Sequence, residues 1–347
     1  PMNAASPSLR SFTESFLDLH PPPADMARLV IEGMERRPRQ LPAWLLYDAE
    51  GSRLFERICE QPEYGLTRTE TTLLEQEAGA IAARLAEESG GQEVVVEFGA
   101  GNARKVGPLL EAMKPAGYVA LDISADHLEP ACRALRERHP VVPVLGICCD
   151  YSDLQRLPSH PLLDGRRRLG FYPGSSLGNF DPPAARDLLR QFARLLGPGG
   201  RLLIGIDQPK SVERLEAAYN DRAGWSAAFA LNLLARLNRD LDGNFEPADF
   251  SYRAWWEPAQ SRIVMALVSR RAHTVQLAGR SWPFAAGEPL ITETSLKYTP
   301  SDFLALAGQA GWRPLERWSD PAQDVCLHLL GQADSMPQST PTSGPER

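Results

Sequence analysis

The residues best suited to chemistry lie in Glu97-Phe98-Gly99-Ala100-Gly101-Asn102, directly after the apolar run Val94-Val95-Val96. A buried strand that runs into two closely spaced glycines can press its backbone against a ligand, because glycine reaches angles that a Cβ resists. A second apolar run, Gly117-Tyr118-Val119-Ala120-Leu121, ends in Asp122, about twenty residues on, where a carboxylate can accept hydrogen bonds from ribose hydroxyls. A nucleoside-containing cofactor is the first expectation. A dinucleotide fingerprint wants a third glycine, to let the helix pack close with its N-terminus toward a pyrophosphate. This chain has Arg104 there.

Glu97-x-Gly99-x-Gly101 instead has the form found where S-adenosylmethionine binds. That cofactor carries no phosphate, so the turn needs close approach rather than an anion cradle. Glu97 is expected near the cationic methionine end. On the glycines alone, an ordinary strand-turn-helix stays open.

The elements that must position these residues alternate. The pattern predicts strand 94–98, helix 103–113, strand 117–121, helix 125–138, strand 142–147, strand 168–173, helix 182–196 and strand 201–206. Such alternation means a parallel sheet covered by helices, with ligand-facing loops at the strands' C-terminal ends. Helical spacing also appears over 24–37, 52–60 and 69–89. The alternation stops at Asp207. Residues 211–240 read as mostly helical and 250–298 as antiparallel strands, with Arg262–Val268 the clearest. It returns at Thr299-Pro300-Ser301-Asp302, a helix start, followed by strands near 313–318 and 324–330. The fold class expected is α/β: a Rossmann-like class I methyltransferase core (71–207 plus 299–331) with a second α+β substrate-binding lobe (11–70 plus 208–298). The polar, proline-rich ends, 1–10 and 334–347, are expected to be mobile.

Composition narrows the partners. The chain has 347 residues, 43% hydrophobic and 23% charged, which suits a globular protein of one large or two modest domains. A net charge of −7 argues against a long nucleic-acid or anionic-membrane surface. No apolar run approaches the ~20 residues that span a bilayer. The N-terminus lacks a basic region followed by an apolar core, so no signal peptide is expected. Five cysteines without a Cys-x-x-Cys spacing point to a reducing compartment, hence the cytoplasm. The six histidines show no zinc-ligand spacing, so no metal is expected. A monomer acting on a small molecule is the expectation.

Further segments fall where such a core needs them. Asp150-Tyr151 follows the third strand, where a carboxylate meets the adenine amino group and a ring covers the base; a capping Asp with a surface Tyr is the plain alternative. Gly174-Ser175-Ser176-Leu177-Gly178-Asn179-Phe180 follows the fourth strand and faces the methyl group. Asp181-Pro182-Pro183 mimics the start of a base-methylating motif, but Ala184 leaves no ring to stack on a flipped base. Asp181-Pro182 therefore reads as a helix N-cap and first turn.

Five segments together resemble the ergothioneine-pathway L-histidine Nα-methyltransferases: Leu46–Phe55, Pro62–Glu70, Gly174–Phe180, Ala218–Asp221 and Thr292–Tyr298. The similarity spans roughly residues 22–331. One departure is Gly65, where the family usually has a second tyrosine, which implies a wider pocket wall. The resemblance implies that Asn179 and Tyr219 hold the substrate's α-amino and carboxylate groups and form the catalytic pair. It implies that Glu293 and Ser295 hold the imidazole, with Tyr64 and Met265 lining its side, and that Tyr47 and Lys105 sit at the cofactor. Residue chemistry agrees, since amide and phenol both donate and accept. In an extended Glu293-x-Ser295 both side chains share a face. A structural Asn, a core Tyr, a core Met and a solvated strand continued by Lys297 remain open on residue type alone, which for Met265 favours core packing.

The reaction implied is methylation of L-histidine through to the trimethylated betaine, hercynine. Alternatives are an Nα-methyltransferase for another amino acid such as a tryptophan derivative, a nicotinamide oxidoreductase, and a non-catalytic adenosyl-binding module.

Overall fold

A computed structural model describes residues 15–333; the tails expected to be mobile, 1–10 and 334–347, lie outside the described residues. In chain order the elements are β1 (Phe16–Asp18), α1 (Met26–Glu35), β2 (Arg39–Gln40), α2 (Ala49–Cys59), α3 (Leu66–Ser89), β3 (Val94–Phe98), α4 (Gly107–Met113), β4 (Gly117–Asp122), α5 (Ala125–Arg138), β5 (Val144–Cys148), β6 (Arg168–Tyr172) and α6 (Pro182–Leu196). Then come β7 (Arg201–Asp207), α7 (Val212–Ala218), α8 (Trp225–Leu241), β8 (Phe250–Glu257), β9 (Arg262–Ser269), β10 (His273–Leu277), β11 (Arg280–Phe284), β12 (Pro289–Leu296), α9 (Pro300–Gln309), β13 (Trp312–Ser319) and β14 (Val325–Gln332).

The central sheet has eight strands in the order β1-β5-β4-β3-β6-β7-β14-β13. Strands β1 to β7 within it are parallel, and β14 runs antiparallel to both its neighbours. Strands buried on both faces read as continuous apolar runs, and β3, β5 and β7 are buried throughout. Val94, Val96 and Phe98 pack on one face with Leu189 and Phe192 of α6 and Phe303 of α9. Val95 packs on the other with Leu74 and Ile81 of α3 and Leu109 of α4. Strand β3 pairs with β4 on one side and β6 on the other, so the chain order reverses beside it. Ligands of open α/β sheets bind in the crevice that this reversal leaves at the strands' C-terminal ends.

After the break at Asp207 come the hairpin β10-β11 and three strands of a second sheet, β2-β12-β9-β8, whose edge strand β2 comes from before α2 and runs parallel to β12. Strand β12 carries a bulge between Ile291 and Glu293. Ile291 lies opposite Ala266 and Glu293 opposite Met265, so Thr292 is the extra residue. Ile291 therefore packs with Val264 and Ala266, while Glu293 and Ser295 take the face of Met265 and Ile263.

The helix starts follow their caps. The Asp181 carboxylate accepts from Ala184 N, and Thr299 Oγ1 from Asp302 N, as the sequence predicts. Two expectations change. Residues 16–18, assigned to the second lobe, form a strand parallel to β5 at the edge of the central sheet. The helix predicted from 103 begins at Gly107: Ala103 takes a left-handed φ of 54°, and Asn102 Oδ1 accepts from Arg104 N at 3.2 Å, closing a turn that a helix cannot continue.

Candidate active site

The turn after β3 uses its glycines as the sequence predicts. Gly99 and Gly101 have φ of 70° and 55°, values that strain a residue with a Cβ. Asp122 sits across from them at the end of β4. Its Oδ2 accepts from Gly101 N at 3.0 Å and its Oδ1 from Ser124 N at 3.3 Å. Glu97 is buried and accepts from Tyr118 OH at 2.9 Å. Burial pushes its carboxyl up to about 8, against the opposing effects of Tyr118 and Lys105.

Tyr151 packs edge-on to Phe98, ring centres 5.5 Å apart, and its hydroxyl lies 3.5 Å from where a Cβ on Gly99 would stand. Asp150 is exposed, and its Oδ1 accepts from Ser152 N at 3.0 Å and Ser152 Oγ at 2.5 Å. Those bonds close the turn after β5, and Tyr151 is half-buried against the core beside it.

Lys105 pairs with Glu70, Nζ to Oε1 at 3.3 Å. Glu70 is fully buried and also accepts from Gly174 N at 2.8 and 2.9 Å. One carboxylate on α3 thus joins the loop after β3 to the loop after β6. A Cβ on Gly205 would stand 2.0 Å from Glu70 Oε2, so glycine in the middle of β7 makes the room.

The loop after β6 leads to the second cluster. A Cβ on Gly178 would meet Leu296 O at 2.7 Å, so glycine there lets the loop lie against β12. The Asn179 amide is assigned with its nitrogen toward Thr294 O and Glu293 Oε1, both acceptors, at 3.1 Å each. Burial raises the Glu293 carboxyl to about 7, with Lys297 pulling the other way. Tyr219, which follows α7, lies 3.2 Å from Ser295 Oγ through its hydroxyl. Its ring meets that of Tyr64 at 5.8 Å, perpendicular. Met265 is 5% exposed and packs with Leu215 and Ile263 against Tyr219, so it serves both core and site wall. Gly65 opens α3, and a Cβ there would meet only Thr69 Oγ1, at 3.9 Å.

Tyr47, expected at the cofactor, stands among aromatic rings. Its ring packs edge-on to Phe55 and Phe229 at 5.5 and 5.3 Å, and Glu293 and Tyr219 are the neighbouring charges that reach it. It belongs with the aromatic wall of the second cluster, because the turn from Trp44 to Asp48 packs on α8.

Sequence reasoning missed Glu70, Lys297 and Asp207. Lys297 is 1% exposed, where a solvated position was the alternative. Its Nζ meets Asp207 Oδ2 at 2.7 Å, Tyr219 OH at 2.5 Å and Ser295 Oγ at 2.9 Å. Burial alone lowers an ammonium's affinity for its proton, but Asp207 and Tyr219 more than offset it and hold Lys297 above its ordinary value. All five cysteines are free thiols. Among the described residues no group of His, Cys, Asp and Glu could hold a metal ion, and no helix is long and apolar enough to cross a membrane.

A glycine turn facing the Asp122 carboxylate, at the reversal point of a parallel sheet with an antiparallel hairpin at one edge, is the arrangement of an S-adenosylmethionine-dependent methyltransferase. Comparison with known proteins sharpens the class. The family described as "Histidine-specific methyltransferase, SAM-dependent" matches residues 26–332, and the chain belongs to it. It is 36% identical to the histidine N-alpha-methyltransferase of Mycolicibacterium smegmatis over 88% of this chain and 94% of that one. It is 32% identical to the protein of the same name from Mycobacterium tuberculosis over 88% and 95%. Ergothioneine biosynthesis protein 1 of Neurospora crassa is 31% identical over 85% of this chain and 33% of its own.

Proposed function

We propose that this protein transfers methyl groups from S-adenosylmethionine to the α-amino nitrogen of L-histidine and carries the product to the trimethylated betaine, hercynine, a step of ergothioneine synthesis. The observation that carries the reading is Glu293 beside Ser295 on one face of β12, opposite Met265 and Ile263. A carboxylate accepts from one ring N–H and a hydroxyl donates to the other ring nitrogen. The relatives' names support the same substrate.

S-adenosylmethionine would supply an electrophilic methyl on a sulfonium: a neutral substrate amine attacks that carbon in line, the carbon–sulfur bond breaks, and S-adenosylhomocysteine leaves. The chain's own residues supply placement. Gly99, Gly101 and Asp122 suit the nucleoside, since a carboxylate and a bare backbone face match ribose hydroxyls and close approach. Glu97, Lys105 and Glu70 border the same crevice. With its nitrogen committed to Glu293 and Thr294, Asn179 leaves its carbonyl oxygen to accept from the substrate amine. Tyr219 stands at the same end of the amino acid, where its oxygen, already accepting from Lys297, keeps a second lone pair for an amine N–H. Tyr64, Phe55 and Phe229 form a packed ring wall that excludes water, so the amine meets the methyl without a solvent shell. The core, 71–207 plus 299–331 with the edge strand 16–18, serves the cofactor, and the lobe of 19–70 plus 208–298 serves the amino acid.

The test is incubation with S-adenosylmethionine and each standard amino acid in turn, with products read by mass. Methylated histidine as the dominant product is expected. Preferred methylation of tryptophan, or of none, would overturn the reading.

A further inference from the structure

Lys297 is 1% exposed, yet it donates to two hydroxyls of the proposed substrate site, Tyr219 and Ser295. An ammonium has three N–H donors and no acceptor. Here all three are spent, on Asp207 Oδ2, Tyr219 OH and Ser295 Oγ at 2.7, 2.5 and 2.9 Å. Each hydroxyl oxygen therefore already accepts from a cation. The two hydroxyls are 3.2 Å apart, so one donates to the other. If Tyr219 donates to Ser295, the serine oxygen accepts twice, and its own proton has no partner within the cluster.

We propose that Lys297, anchored by Asp207, is a specificity-determining positioning residue: it commits Ser295 to act as a hydrogen-bond donor, so that the pocket takes a ring with one N–H and one bare nitrogen. The inference rests on the histidine reading of the site. Glu293 accepts the ring N–H, and the remaining nitrogen then needs a donor, which Ser295 supplies only while Lys297 and Tyr219 fill its acceptor positions. Without Lys297 the serine proton can turn to Tyr219, and the ring nitrogen faces a lone pair. Asp207 keeps the arrangement in register: its Oδ1 also holds Lys210 at 2.5 Å, and its N–H donates to Ser175 Oγ at 2.9 Å. Lys210 leaves Asp207 paired when Lys297 is removed, so the fold can tolerate the change.

The experiment compares wild type with Lys297→Met and Lys297→Arg. The readouts are KM and kcat for histidine, the inhibition constant of β-(2-thienyl)alanine, and S-adenosylhomocysteine affinity by calorimetry. The thienyl ring matches imidazole in size but has no ring nitrogen. For Lys297→Met the expected result is a histidine KM raised at least ~tenfold with kcat changed less than ~threefold, because the contact is made equally in the ground and transition states. Thienylalanine inhibition and S-adenosylhomocysteine affinity stay within ~threefold. Lys297→Arg keeps the charge, but its planar fork cannot reach all three partners, so it raises KM in the same direction by less.

A parallel loss for histidine and thienylalanine in either variant would overturn the proposal and leave Lys297 a packing residue. An unchanged histidine KM in a variant that still binds S-adenosylhomocysteine would do the same. If Lys297→Met does not fold, Lys297→Arg decides by the same ratio. Failure of the wild type to methylate histidine would instead remove the substrate reading on which the proposal rests.

Discussion

Glu293 stands directly across from Met265 on neighbouring antiparallel strands, and the extra residue Thr292 is what puts it there. With strict alternation Glu293 would share the face of Ile291, which packs with Val264 and Ala266. Bulges re-aim side chains beside active sites. Here the shift delivers a carboxylate to the face shared with Ser295, where Asn179 meets it at 3.1 Å.

Glu293→Ala should lower kcat/KM for histidine by more than ~tenfold, or more than ~1.4 kcal/mol. It should also narrow the gap between histidine and tryptophan, because no buried acceptor is left unsatisfied by the wrong ring. Paired kinetics on both amino acids check this. Unchanged histidine kinetics would show that Glu293 does not read the ring.

Asp122→Ala should weaken S-adenosylmethionine binding by roughly 1.5–3 kcal/mol, the value of a charge-assisted hydrogen bond. The loss has two sources, the ribose contact and the Asp122 grip on Gly101 N at 3.0 Å. Calorimetry measures it. The same affinity in the mutant would remove Asp122 from the site.

Gly205→Ala should act on the cofactor through Glu70. The added Cβ would stand 2.0 Å from Glu70 Oε2, so Glu70 must release Gly174 N and Lys105. Leaving a buried backbone donor unpaired costs ~1–3 kcal/mol, and cofactor affinity should fall about tenfold or more with it. Wild-type affinity for S-adenosylmethionine would show that the Glu70 clasp does not shape the site.

Glu97 gives a pH-dependent stability. Its carboxyl releases a proton at about 8 in the fold, against an ordinary 4.5. Between those values the unfolded chain holds fewer protons than the folded one, so stability falls as pH rises. The contribution is fully present below pH 4.5 and lost as pH passes through about 8. Glu97→Gln should therefore stabilise the ligand-free protein relative to wild type at pH 9, on the order of a few kcal/mol and visible as a higher Tm, and the gain should shrink toward pH 5. A Tm difference that does not vary with pH contradicts this.

Much of this was legible in the sequence for a plain reason. Buried parallel strands must be apolar throughout, so β3, β4 and β7 announce themselves, and glycines at positive φ mark the cofactor turn. What escaped has equally physical causes. Phe16–Asp18 is too short to show a period. The late start of α4 depends on one left-handed residue, Ala103. The fully buried Glu70 and Lys297 look like surface charges in sequence, because their partners, Gly174 and Asp207, are far away along the chain. Gly205 inside an apolar strand was the one local signal, since such a glycine marks close approach.

The central claim is that the α-nitrogen of histidine receives the methyl groups. Its most direct test is a time course with S-adenosylmethionine and histidine, with each product fragmented to locate its methyls. The account predicts successive methylation of the α-nitrogen alone, ending at the trimethylated betaine. Methyls on the imidazole ring, or no transfer to histidine while the protein still binds S-adenosylhomocysteine, would contradict it.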